Sequence, residues 1–139
     1  MLRSGEDHLE SLRDGRVVYV GGERIMDVTR HHAVRNAART VADVYDLKRR
    51  RDMLDILSFD ANGERFSMHF LLPRGPEDLL RRMRAHKVIA DATYGLFGRS
   101  VDHVASFIAG MMTLLEYTVQ VLGDAESERR LPAPDLREK

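Results

Sequence analysis

Ala90-Asp91-Ala92-Thr93-Tyr94-Gly95-Leu96-Phe97-Gly98-Arg99-Ser100-Val101-Asp102-His103 is the stretch that decides how this chain is read. Gly95 and Gly98 bracket a break between two helical patterns. Upstream, Pro76 suits the first turn of a helix, and Glu77 and Asp78 suit its positive end, so a helix is predicted from Pro76 to Ala92. Downstream, a long helix is predicted from Val101 to Leu122. From Val104 onward its only polar residues are Ser106, Thr113, Glu116, Thr118 and Gln120. The turn presents Arg99, and the next helix opens near Ser100 with unpaired N–H groups. Arg99 and His103 stand four apart and share a face. An arginine, an imidazole and a helix N-terminus together stabilise an anionic oxygen. Gly-Arg-Ser is also a common turn-and-cap sequence, and on that reading His103 is a surface residue.

The rest of the chain yields shorter elements. Ser4 is placed to cap a helix over Ser4 to Arg13, with Glu6 and Asp7 in its first turn. Val17 to Val20 reads as a strand, Gly21-Gly22 as a turn, and Arg24 to Met26 as its returning partner. A helix is predicted from His31 to Asp46, because Val34, Ala37, Ala38, Val41, Ala42 and Tyr45 form one stripe. Lys48-Arg49-Arg50-Arg51 reads as a solvated basic helix end or loop. Asn62-Gly63 predicts a hairpin between Ile56–Phe59 and Arg65–Leu72. Within the second strand Phe66, Met68, Phe70 and Leu72 alternate with Ser67 and His69, which predicts one buried face. The expected fold is α+β, mostly α-helical with small antiparallel hairpins. Residues 1–122 are expected to form a single helical domain, and 123–139 a charged, mobile tail with Pro132 and Pro134.

Composition narrows the function. The chain has 139 residues, with 22 Lys+Arg against 22 Asp+Glu. Zero net charge argues against a general grip on nucleic acid or an anionic membrane. Absence of cysteine excludes a disulfide scaffold, a thiolate metal site and a cysteine nucleophile. No two of the six histidines stand four apart, so no metal site is expected. Gly21-Gly22 lacks the residues of a phosphate loop. The N-terminus has no apolar signal core, so a cytoplasmic protein is expected. The last helix is long and apolar enough to suggest a membrane span, but Glu116 in its middle opposes that reading. Burial on all sides is the alternative, and one small domain does not cover every face of such a helix. Burial by another chain or domain is therefore expected.

Ala90-Asp91, Gly95 and Gly98-Arg99-Ser100-Val101-Asp102-His103 resemble the Ala-Asp-x-x-x-Gly-x-x-Gly-Arg-Ser/Thr-Pro-Asp-Tyr run of the 4-hydroxyphenylacetate 3-hydroxylases, in their large oxygenase component. Further resemblance lies in Arg3-Ser4-Gly5-Glu6, Leu9-Glu10-Ser11-Leu12, Arg16, Gly22-Glu23-Arg24 and Asp27-Val28-Thr29 with His32. It continues through Arg35-Asn36-Ala37-Ala38-Arg39, Tyr45-Asp46 and Phe70-Leu71-Leu72-Pro73-Arg74 before Glu77-Asp78-Leu79. The matches run in order from residue 1 to about residue 110.

The resemblance implies the N-terminal domain of an acyl-CoA-dehydrogenase-like flavin monooxygenase. It implies reduced FAD delivered by a separate flavin reductase, and hydroxylation of a phenol next to its hydroxyl. Arg99 stands where the family arginine meets the phenolic oxygen, and His103 where the family has tyrosine. Ser100, Val101 and Asp102 complete the expected substrate-binding set, with Val101 in place of the family proline. The family's flavin-binding barrel and helical bundle lie beyond this chain. A flavin-binding subunit or the missing C-terminal domains are therefore expected as partners, in a homo- or hetero-oligomer, and no FAD is expected on the isolated chain. The rival expectation is a non-catalytic assembly protein that keeps the domain and oligomerises through its apolar helix.

Overall fold

The computed structural model describes residues 2–97 and 100–127, with the backbone alone for 100–103 and 122–127. In order, the elements are α1 (Gly5–Ser11), β1 (Val18–Val20), β2 (Glu23–Ile25), α2 (Arg35–Leu47), α3 (Leu54–Leu57), β3 (Ser58–Ala61), β4 (Glu64–Ser67), a 3-10 turn (Met68–Phe70), α4 (Pro76–Ala92) and α5 (Ser100–Ser127). The architecture is mostly helical with two antiparallel hairpins, as the sequence predicts.

Local signals set several of these elements. Ser4 Oγ accepts from Asp7 N at 3.0 Å, and the Asp7 carboxylate accepts from Ser4 N at 2.8 Å. This reciprocal cap is worth about 1 kcal/mol and starts α1. α1 then packs on α2. Gly5 N–H donates to Asp46 Oδ1 at 2.8 Å, and His8 stacks on Tyr45 with centroids 4.9 Å apart. In the second hairpin Asn62 and Gly63 have φ of 54° and 77°, as a tight primed turn requires. That turn sets the register Phe59↔Phe66 and Ser58↔Ser67.

Other expectations shift. α2 begins at Arg35 rather than His31, because Asp27 holds the preceding segment in turns. Its carbonyl accepts from Arg30 N and His31 N, and its side chain from Thr29 N at 2.8 Å. The second strand stops at Ser67, not Leu72. The 3-10 turn has three residues per turn, so the period of two fails beyond Ser67. Met68 and His69 are both buried, while Phe66 and Phe70 are exposed. Lys48 departs from the solvated reading of its basic run, being buried while Arg49, Arg50 and Arg51 are exposed.

The core is Val44, Leu57, Met68, Ala85 and Ile89, with Leu47, Phe59, Val88 and Phe97 packed around it. α5 is held mainly against the 3-10 turn, and buries Ala105 and Ala109. Two polar links hold it there. Arg82 donates to Leu71 O at 2.8 Å and to Ser106 Oγ at 2.5 Å. Arg74 grips Glu116 with two nitrogens, at 2.9 and 3.3 Å. Glu116 thus has a partner outside α5. Val104–Val121 is long and apolar enough to cross a membrane, yet only 11% of it is buried within the chain. α5 continues to Ser127, so the segment set apart from residue 123 begins as helix. Residues 128–139 lie outside the described residues.

Candidate functional site

α4 ends where Gly95 predicts a break, and Gly98 lies outside the described residues. Thr93 is buried at the end of α4, and its hydroxyl donates to Ile89 O at 2.7 Å. Tyr94 and Gly95 turn the chain with φ of 52° and 77°, and Gly95 N–H donates back to Ala90 O at 2.8 Å. A left-handed pair of this kind ends a helix. Phe97 then anchors the turn on the core, while Tyr94 and Leu96 stand in solvent. Arg99 lies outside the described residues. Ser100, Val101, Asp102 and His103 enter by backbone alone, as the first turn of α5, and their side chains lie outside the described residues.

A second constellation lies at the end of α2. Lys48 is the residue that ends this helix, where a cation meets the negative end of the dipole. It is only 5% exposed, and its Nζ lies 5.4 Å from the centre of the Tyr45 ring. Burial lowers its pKa to about 8. His69 faces the same space and is 3% exposed. Burial, then the charges of Lys48, His86 and Arg82, push its pKa down to about 3, so the ring is neutral. Its centroid lies 5.0 Å from that of His86.

Neither ring nitrogen of His69 has a hydrogen-bond partner, and neither does the buried Ser67 hydroxyl. Each such group costs about 1–3 kcal/mol. These side chains, with Leu2, Arg3, Tyr45, Lys48, Phe66 and Phe70, line a cavity of about 300 Å³. Another cavity, of about 440 Å³, lies between α4 and α5 beside Arg82, His86 and Ser106. Among the described residues no group of three His, Asp or Glu side chains is placed to hold a metal.

Lys48, Ser67 and His69 were not legible as a set. Lys48 sits in a cationic run that reads as solvated. Ser67 and His69 occupy the polar positions of an alternating strand. The one usable signal is that Lys48 stands three residues after Tyr45, in line with the apolar stripe of α2.

Residues 4–130 match the family described as 4-hydroxyphenylacetate 3-hydroxylase N terminal. The pyoverdin chromophore biosynthetic protein PvcC of Pseudomonas aeruginosa is 45% identical over 112 residues, covering 79% of this chain and 22% of that protein. The 4-hydroxyphenylacetate 3-monooxygenase oxygenase component of Thermus thermophilus is 33% identical over 118 residues, covering 84% of this chain and 24% of that one. A crystal structure of the oxygenase component HpaB, complexed with FAD and 4-hydroxyphenylacetate, superposes with a TM-score of 0.69 at 36% identity. It covers 73% of this chain and 22% of that chain. The chain therefore spans between about a sixth and a quarter of the length of the relatives it matches.

Proposed function

The chain belongs to the 4-hydroxyphenylacetate 3-hydroxylase family, and on that premise we propose that it is the N-terminal, substrate-side part of a reduced-flavin-dependent aromatic hydroxylase. The observation that carries this reading is the match along residues 4–130, which takes in the whole α4–α5 junction. The reaction is hydroxylation of a phenol next to its hydroxyl. Arg99 holds the phenolate oxygen through a charge-assisted bond. His103, where the family motif has tyrosine, serves as hydrogen-bond donor or proton relay. Ser100, Val101 and Asp102 shape the helix start that faces the oxygen.

Reduced FAD, delivered by a separate flavin reductase, supplies the activated oxygen when bound. None of three cavities among the described residues fits FAD. They hold about 240, 300 and 440 Å³. A dinucleotide with two ring systems lies at the upper end of ligand size, and needs a backbone cradle for its phosphates. The flavin site is therefore assigned to a further domain or chain, and the apolar strip of α5 is the surface it covers. The assembled enzyme works in the cytoplasm as a homo- or hetero-oligomer.

Co-expression with the neighbouring flavin-binding subunit tests this. The complex, given reduced FAD, oxygen and 4-hydroxyphenylacetate or a chlorophenol, is expected to release the ortho-hydroxylated product, read by mass spectrometry. The chain alone is expected to purify without flavin. A folded, flavin-bearing complex that hydroxylates no phenol in a panel overturns the enzymatic reading. It would leave the assembly role, which the exposed strip of α5 favours as second choice.

A further inference from the structure

We propose that the cavity between the end of α2 and the 3-10 turn binds a small aromatic carboxylate, received by Lys48 Nζ, the Ser67 hydroxyl and the His69 ring. The proposal is independent of the α4–α5 junction. Its first support is charge. Lys48 is 5% exposed, and among the described residues no carboxylate pairs with it. The charges felt at His69 are those of Lys48, His86 and Arg82. A buried cation without a counter-charge is the arrangement that an anion relieves.

The second support is the set of orphaned polar atoms. Ser67 Oγ and both His69 ring nitrogens are buried, unpartnered, and line one cavity with Lys48. A neutral imidazole offers one N–H, a serine one O–H and an ammonium three N–H groups. Together they meet the acceptor demand of one carboxylate. Arg3 lines the same cavity, its guanidinium also donating to Asp7 O at 2.9 Å, so a second cation stands near the acid group. The third support is the wall. Tyr45, Phe66 and Phe70 line the same cavity, and its volume of about 300 Å³ admits a single ring with its acid group. Aromatic walls with one polar end select a flat body carrying one charge.

Calorimetric titration of the 139-residue chain with sodium benzoate at pH 7 tests this, with benzamide as the uncharged isostere. One saturable site is expected, with benzoate favoured at least about tenfold over benzamide. Lys48→Met is expected to weaken benzoate at least about tenfold without loss of helicity. If that variant fails to fold, Ser67→Ala carries the test, with an expected weakening of about three- to tenfold. No saturable heat up to about 10 mM, equal affinity for the two ligands, or unchanged affinity in the folded variants overturns the proposal. A carboxylate side chain of the flavin-binding subunit offers the same chemistry. Benzoate binding that persists in the assembled complex identifies a free acid as the ligand, and its loss on assembly overturns it.

Discussion

Gly5 N–H donates to Asp46 Oδ1 at 2.8 Å, across 41 positions of sequence, and this bond sets where α1 lies on α2. The approach is so close that a side chain at residue 5 has no room. A Cβ there would stand 2.6 Å from Ala42 O and 2.6 Å from Asp46 Oδ2. The Ala42 carbonyl belongs to the helix and cannot swing aside.

Gly5→Ala is therefore expected to destabilise the chain by about 1–3 kcal/mol, through overpacking against backbone. Asp46→Ala is expected to cost a similar amount, because it orphans the Gly5 amide. The double variant should lose less than the sum, since both changes dismantle one contact. Urea unfolding followed by circular dichroism measures all three. Additive losses would show that the contact does not hold α1.

Acid should unfold the chain through His69. Its folded pKa lies near 3 and its unfolded value near 6.5. Between these values the unfolded state binds the extra proton, so stability rises with pH there and falls as pH drops from about 6.5 to 3. The loss attributable to this group is on the order of 5 kcal/mol. His69→Gln should flatten that part of the profile, read as unfolding free energy against pH. An unchanged slope would remove His69 as its source.

Lys48 predicts the opposite end of the profile. Its pKa falls from 10.5 unfolded to about 8 folded. Between pH 8 and 10.5 the unfolded state again holds the extra proton, so stability should rise across that window. The gain is on the order of 3 kcal/mol and should vanish in Lys48→Met. A variant with the same alkaline rise as the parent would refute this source.

α5 should associate. Phe107, Met111, Met112 and Leu115 are 62%, 57%, 44% and 55% exposed. Covering about 400 Å² of this strip contributes about 10 kcal/mol before association costs. Sedimentation at micromolar concentration should show no free monomer. Met112→Glu or Leu115→Lys should release monomer or cause aggregation. A clean monomer of the unaltered chain would defeat this prediction.

In the assembled enzyme, Arg99→Ala should reduce hydroxylation about 30- to 1000-fold, corresponding to roughly 2–4 kcal/mol of lost phenolate stabilisation. Its melting temperature should change far less. His103→Tyr should be tolerated and shift the pH dependence. Normal turnover in Arg99→Ala would remove that residue from the site.

Local chemistry made much of this fold legible. Pro76 with Glu77 and Asp78 placed the start of α4, and the glycine-bearing turn placed its end at Ala92. Asn62-Gly63 set the second hairpin, and Ser4 with Asp7 set the first cap. The ordered run of motifs, ending in Gly95 to His103, was enough to indicate the family. Tertiary structure alone decided that Lys48, Ser67 and His69 share one cavity, and that Gly5 meets Asp46. The reason is physical. Caps, turns and helical stripes act over three or four residues, so neighbouring letters carry them. Burial of a polar side chain depends on which distant surface closes over it. At Met68–Phe70 a single 3-10 turn was enough to carry His69 from the expected solvent face into the interior.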